Sequence, residues 1–388
     1  MNVLVVPMFA LSRMGGPWSR AQAIANAFEQ AGHHVTLGVA DDGNCVSPCV
    51  ASTCNLPVPA PLGLPMSIAS KTFPLAEKLG ISGRKPVHSF EEVLWLTGAL
   101  DYRYERESIE AICDAVVAHR IDAVYAEYSL PAIIAAKALS VPVFGSFSYT
   151  TQTSYASDPD KSAGVRKLLQ ELGLPVAESS LDLFGWLDKR FVPSCPELEP
   201  LEDARAEFVG FLRSAPDIGN AARDCIVVYL GAGSVPQRTI ERTVMAAFGN
   251  YDGEVYVAGC QDDHREGNVR FAKRFDFSTL LPRARCFVHH GGQNSTMDAF
   301  RYATPQVIVP GRVFERAYNA ESVQRAGAGA KLESFNPESL RSACQHVAES
   351  PAIAEASLAI RASLASAGGA ARIVSSIAST VSASADSE

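Results

Sequence analysis

The residue types able to do chemistry are concentrated in one run, Phe287-Val288-His289-His290-Gly291-Gly292-Gln293-Asn294-Ser295-Thr296-Met297-Asp298. A short apolar stretch, Cys286 to Val288, reads as a buried strand. It breaks at the His-His-Gly-Gly turn, and Asn294 to Tyr302 then reads as a helix with Asn294 or Ser295 as N-cap. Two glycines at a strand-to-helix turn let backbone N–H groups approach an anion, and the helix N-terminus adds partial positive charge. His290, Asn294, Ser295 and Thr296 add side-chain donors. The pattern describes a phosphate cradle, with Asp298 one turn into the helix to accept from ribose hydroxyls. An ordinary capped helix after a tight turn would use the same residues, so spacing alone leaves both readings open.

The elements that must hold this run in place follow from apolar periodicity. Val3 to Val6 is a buried strand, followed by a glycine-containing turn (Gly15-Gly16-Pro17) and a helix from Trp18 to Ala31, then a strand from His34 to Val39. This β-turn-α-β opening is Rossmann-like, but Gly15 and Gly16 do not make the GxGxxG fingerprint, so a dinucleotide is not implied. Residues 40–100 are rich in Pro, Ser and small side chains. A helix follows from Tyr104 to His119, with Ile109, Ile112, Val116 and Val117 placed on one face. The strand Ala123 to Ala126, the helix Leu130 to Leu139 and the strand Pro142 to Phe147 continue the alternation and predict a parallel sheet. The proline-rich, acidic run Phe191 to Pro200 reads as a linker. A second series begins with the strand Cys225 to Leu230, which ends in Gly231-Ala232-Gly233-Ser234. Strands follow at Glu254–Ala258, Val269–Phe271, Arg285–Val288 and Gln306–Val309. Residues from Gly368 onward read as a final helix giving way to a disordered tail at Val381.

Bulk properties narrow the function class. At 388 residues the chain should form about two domains. A net charge of −8 argues against a nucleic-acid partner. No apolar stretch reaches the roughly 18 residues of a membrane span, the N-terminus lacks the basic region of a signal peptide, and nine scattered cysteines suit a reducing cytoplasm. Cys45, Cys49 and Cys54 lie close together without a histidine to complete a zinc pattern, so no metal is expected.

From Leu281 to Gly329 the chain resembles the donor-binding signature of family 1, GT-B-fold glycosyltransferases, the group of antibiotic and plant natural-product enzymes. The matching residues are Leu281-Pro282-Arg283-Ala284, His289 to Thr296, Ala303-Thr304-Pro305-Gln306-Val307, Pro310, Glu315, Asn319-Ala320 and Gly327-Ala328-Gly329. The resemblance implies an α/β fold of two Rossmann-like domains facing across a cleft. An acceptor-binding domain would span residues 1–213, a nucleotide-sugar domain 214–370, and a helix with a tail 371–388. It implies a UDP- or dTDP-sugar as co-substrate, a small-molecule natural-product acceptor, inversion at the anomeric carbon, and no further cofactor. By position it implies that His290, with Gly291, Gly292, Asn294 and Ser295, holds the diphosphate. Asp298 would hold the ribose, and Gly231 and Ser234 would form a second phosphate turn. Phe275 and Phe277 would flank the base, although Phe275-Asp276-Phe277 departs from the usual pattern and leaves uridine or thymidine open.

Two departures bear on mechanism. The family's closing Asp-Gln is Glu315-Arg316 here. Arg316 cannot accept a hydrogen bond, so it suits an acidic donor group or else points to solvent as a helix-start residue. The family's general base, a histidine three residues before Pro17, is Met14. Glu127, in the place of the carboxylate that normally steadies that histidine, is then a candidate base, or else a solvated loop acid; Ser12 and Arg13 neighbour Met14, and Arg13 suits either a pairing with Glu127 or the donor phosphate. Three functions fit: a glycosyltransferase with a replaced base, a non-catalytic sugar-nucleotide-binding protein, or a GT-B enzyme of different, epimerase-like chemistry.

Overall fold

A computed structural model describes residues 1–11, 15–65, 67–69, 86–219, 222–231 and 235–385. The apolar runs found in the sequence become the centres of two seven-stranded sheets. In the first, β1 (Asn2–Pro7), β2 (His34–Val39), β3 (Ser52–Asn55), β4 (Ala123–Glu127), β5 (Val143–Ser146), β6 (Lys189–Val192) and β7 (Ala206–Phe208) lie in the order β3-β2-β1-β4-β5-β6-β7, all parallel. The second contains β8 (Cys225–Tyr229), β9 (Glu254–Ala258), β10 (His264–Glu266), β11 (Val269–Ala272), β12 (Ala284–His289), β13 (Gln306–Ile308) and β14 (Ala330–Lys331). Their order is β10-β11-β9-β8-β12-β13-β14, with only β10 antiparallel. Val3 to Val6 and Val227 to Val228 are fully buried, as expected of parallel strands covered by helices on both faces.

Strand order reverses between β1 and β4 in one sheet and between β8 and β12 in the other. Ligand crevices in such sheets open beyond the carboxyl ends of the strands at these switch points. Pro7 and Glu127 end the first pair, Tyr229 and His289 the second. The two crevices face one another.

Several elements differ from the sequence reading for local reasons. Phe191 and Val192 belong to β6 and are fully buried, so the expected linker begins later than Phe191. Val117 is 71% exposed, because it lies one residue off the face on which Ile109, Ile112 and Val116 are buried. The helix Tyr102–Ala118 starts where Asp101 accepts from the Arg103 and Tyr104 amides. Buried Glu91 accepts from the Ser162 and Ser179 hydroxyls (2.6 and 2.8 Å) and the Ser180 amide (2.9 Å). This carboxylate fastens the segment around residues 158–180 to the helix Phe90–Thr97.

The final helix, Gly369–Ala385, continues through Val381 instead of fraying there, and it packs on the first sheet's side of the molecule. Its Ile373, Val374 and Ile377 share a core with Trp18, Ala21, Ile24 and Phe28 of the helix Gly15–Gln30. The chain therefore crosses between the sheets twice, and both crossings meet at one point. The Phe211 amide donates to the Leu364 carbonyl (3.2 Å) and the Gly369 amide to the Val209 carbonyl (2.8 Å). Gly210 between them has φ +64°, and a Cβ there would lie 1.9 Å from the Leu364 oxygen, so only glycine fits.

Candidate functional site

β12 ends at His289 and the chain turns through Gly291-Gly292 into the helix Gln293–Arg301. Gly292 occupies the N-cap position, two to three residues earlier than expected, because its carbonyl already accepts from the Thr296 amide (3.1 Å) and hydroxyl (3.2 Å). Asn294 and Ser295 are thus first-turn residues, where backbone N–H groups have no partner within the helix. The turn itself is braced from behind. The His289 ring is buried; it bonds Gln306 Oε1 at 3.0 Å and accepts from the Gly291 amide at 3.1 Å. Asn319 Nδ2 donates to the Gly291 carbonyl at 2.8 Å, which holds that glycine at φ +83°.

His290 sits between two glycines. A Cβ on Gly292 would lie 2.6 Å from Nε2 and one on Gly231 would lie 3.3 Å from Nδ1. The Tyr229 ring meets the imidazole edge-on at 5.3 Å, and the Tyr229 carbonyl is 3.4 Å from Nδ1. Burial, then the charge of Arg316 and the neighbouring His289, pushes the His290 imidazole down to about 3. Burial likewise pushes His289 down to about 4. Both rings are neutral at physiological pH. Because the Tyr229 contact is long, the single proton of a neutral His290 ring can sit on Nε2. Gly292→Ala should displace this ring and weaken binding of a nucleoside diphosphate about tenfold or more, while Ala at the exposed Gly267 turn leaves binding unchanged. Calorimetric titration of both variants checks this.

His290 opens onto a cavity of about 430 Å³ walled by both sheets' loops. The second sheet contributes Tyr229, Asn294, Ser295, Glu315 and Arg316. The first contributes Gly16, Arg20, Phe90, Tyr128 and Thr150, and the segment after β6 contributes Glu199. Arg316 therefore faces the cavity, not solvent. Glu315 stands beside it near the Gln293 amide, its carboxyl raised by burial against the opposing pull of Arg316 and Arg20. Burial also pushes Glu199 up to about 7, although the Tyr149 amide donates to it at 2.7 Å. The apolar wall comes from the segments around 90 and 150. Tyr149 stacks on Tyr318 at 4.9 Å, and Tyr155 packs beside Phe314 at 6.3 Å.

Glu127 lies below this wall. It is fully buried; Arg20 Nε donates to it at 2.6 Å, and Tyr125 donates to Ser146 (2.9 Å), which donates to Glu127 in turn. It is neither a solvated loop acid nor part of the cavity lining. Arg20 reaches across to Asn294 Oδ1 at 3.1 Å. Asp298, on the same helix face as Asn294, lines a separate cavity of about 90 Å³ with Ser19, Arg213 and Arg301; Arg20 and Asn294 wall both spaces. Phe277 packs against Tyr229 (5.7 Å) and Phe287 (5.4 Å), one ring behind the cavity, and Phe275 against Tyr256 at 5.2 Å. Ser12, Arg13, Met14 and Ser234 lie outside the described residues.

Sequence reasoning did not single out Arg20, Tyr128, Tyr229 or Glu199. The available signal was Arg20's place one turn after Pro17, at the helix end that faces the switch point.

Known proteins share the fold. A profile described as "Erythromycin biosynthesis protein CIII-like, C-terminal domain" matches residues 242–379. The chain is 32% identical over 97 residues to aclacinomycin-T 2-deoxy-L-fucose transferase of Streptomyces galilaeus, which is 24% of this chain and 22% of that protein. It is 33% identical over 122 residues to O-mycaminosyltylonolide 6-deoxyallosyltransferase of Streptomyces fradiae, 30% and 28% of the two chains. The chain thus matches less than a third of the length of either curated relative. Over the whole chain it superposes on the glycotransferase of kitacinnamycin with TM-score 0.73 and 19% identity, covering 97% of this chain and 98% of that one. It also superposes on spinosyn rhamnosyltransferase SpnG complexed with thymidine diphosphate (TM-score 0.68, 16% identity, 97% and 100% covered). The fold is GT-B. Among the described residues no helix is long and apolar enough to cross a membrane.

Proposed function

We propose that this chain, a GT-B-fold protein carrying an EryCIII-like C-terminal domain, is a glycosyltransferase. It moves a sugar from a uridine or thymidine diphosphate sugar to a small-molecule, natural-product acceptor, with inversion at the anomeric carbon. One observation carries the reading: His290 and the amino end of the helix Gln293–Arg301 face an aromatic wall from the other sheet across a shared cavity. A diphosphate at the helix terminus would be held by N–H groups, Ser295 and His290, which stabilise the charge that develops on the leaving group. Glu315 and Arg316, which line the same cavity, would hold the sugar, and the wall of Phe90, Tyr128 and Thr150 would hold the acceptor.

The proton of the attacking acceptor needs a route. Glu127 is engaged by Arg20 and Ser146, whereas Glu199 faces the cavity and titrates near 7, where a general base works best. The test is a mass-spectrometric screen of nucleotide sugars against an aglycone library. Glycosylated product of inverted anomeric configuration, with turnover rising through pH 7, is the expected result. Donor binding without turnover would mean a non-catalytic binding protein, consistent with methionine at position 14. Isomerised donor without any acceptor would mean epimerase-like chemistry. Absence of nucleotide-sugar binding would overturn the donor site itself.

A further inference from the structure

Arg20 stands at the junction of the two crevices. Its side chain is 13% exposed and lies over the Tyr128 ring at 5.4 Å. A guanidinium has five N–H donors in a rigid fork. Nε is committed to Glu127 at 2.6 Å and Nη1 to Asn294 Oδ1 at 3.1 Å; Nη2 has no hydrogen-bond partner among the described residues. Burial works against the cation, yet Glu127, with Tyr128 and Glu315 in support, holds the guanidinium above its ordinary range. Space for it is reserved by Gly16, where a Cβ would come within 3.3 Å of Nη1 and 3.9 Å of Asn294 Nδ2. The fork therefore presents donors to the same first helical turn that His290 and Ser295 flank.

We infer that Arg20 is a diphosphate ligand supplied by the N-terminal sheet. A phosphate oxygen takes the place of Asn294 Oδ1 on Nη1 and engages Nη2, while Nε stays on Glu127. The inference rests on the reading that this cavity holds a nucleoside diphosphate. The carboxylate that the family resemblance pairs with a proton-accepting histidine here holds a cation that stays protonated. On this side of the cleft the electrostatic work is thus leaving-group stabilisation, and Glu127 is a positioning residue. The anion also becomes a bridge between the two sheets.

The test is calorimetry with UDP and dTDP, using uridine and thymidine as phosphate-free controls. The double variant R20Q/E127Q removes the cation without stranding a buried carboxylate. It should lose about 10- to 100-fold in diphosphate affinity, keep its nucleoside affinity, and show a weaker salt dependence of binding. R20K, which retains charge on Glu127 if the double variant does not fold, should lose about tenfold because an ammonium cannot serve carboxylate and phosphate as a fork does. Wild-type diphosphate affinity in a folded R20Q/E127Q or in R20K overturns the assignment. If His290→Ala still weakens binding in that case, the donor site stands without Arg20. If the wild type itself binds neither diphosphate, both fall.

Discussion

His290→Ala is expected to weaken nucleoside diphosphate binding by about 10- to 100-fold, the range for losing a hydrogen bond to a charged group, with larger losses where the glycine-lined slot refills with water. The ring is fixed by Gly231, Gly292 and Tyr229, so no neighbour can take over its position. Because burial holds it neutral, binding at pH 6 and pH 8 should differ little through this residue. Stability behaves otherwise. His289 and His290 have folded values depressed to about 4 and about 3 from an ordinary 6.5, so the unfolded chain takes up protons first as the solution is acidified. Their contribution is present above about 6.5 and is lost as pH falls from there toward 3. Urea denaturation at pH 7 and pH 5 should show a smaller acid-induced loss for His290→Ala than for the wild type. Unchanged calorimetric affinity for UDP and dTDP would remove His290 from the donor site.

Glu127→Ala should cost about 3–5 kcal/mol of stability, as expected when one partner of a buried ion pair is removed and the other charge is left in place. Arg20 would lose its Nε partner, and the Tyr125-Ser146 chain its terminal acceptor. The midpoint and slope of urea unfolding measure this; a variant as stable as the wild type would show that the pair does not anchor Arg20. The milder Glu127→Gln separates two roles. A general base would lose turnover with donor affinity kept. A residue that aims Arg20 at phosphate would lose diphosphate affinity as well, with nucleoside affinity intact.

Much of this architecture is legible in the chain because parallel strands covered on both faces are continuous apolar runs, and the runs at Val3, Ala123, Cys225 and Cys286 all became central strands. The Gly291-Gly292 turn was legible because a positive φ and a close approach to His290 both demand glycine. Arg20 was hidden for the opposite reason. It meets Asn294 across 274 residues of sequence, and no local spacing encodes that encounter. Asp298 shows how a helix limits inference from position: it shares a face with Asn294 and Arg301, but while Asn294 also reaches the cavity lined by His290, Asp298 and Arg301 line the neighbouring space with Ser19 and Arg213. β6 was masked by the prolines that follow it, which mark the end of a four-residue strand as readily as a linker. The last helix was legible from Gly368 onward, where Ile373, Val374 and Ile377 outline a buried stripe, but its Ala and Ser content masked its continuation past Val381.

The position of that last helix bears on how such a protein can be recombined. Residues 369–385 follow the second sheet in the gene yet belong in space to the first, where they cover Trp18, Ile24 and Phe28. A chimera made by one splice near residue 214 would bring a foreign helix onto this surface and ask two unrelated stripes to mate. The natural seam needs two splices, one on each strand of the knot where Gly210 meets Leu364 and Val209 meets Gly369. Exchange of the proposed donor site between relatives is therefore a cassette problem: the unit to be swapped is an internal segment, and the segments that flank it are inherited together.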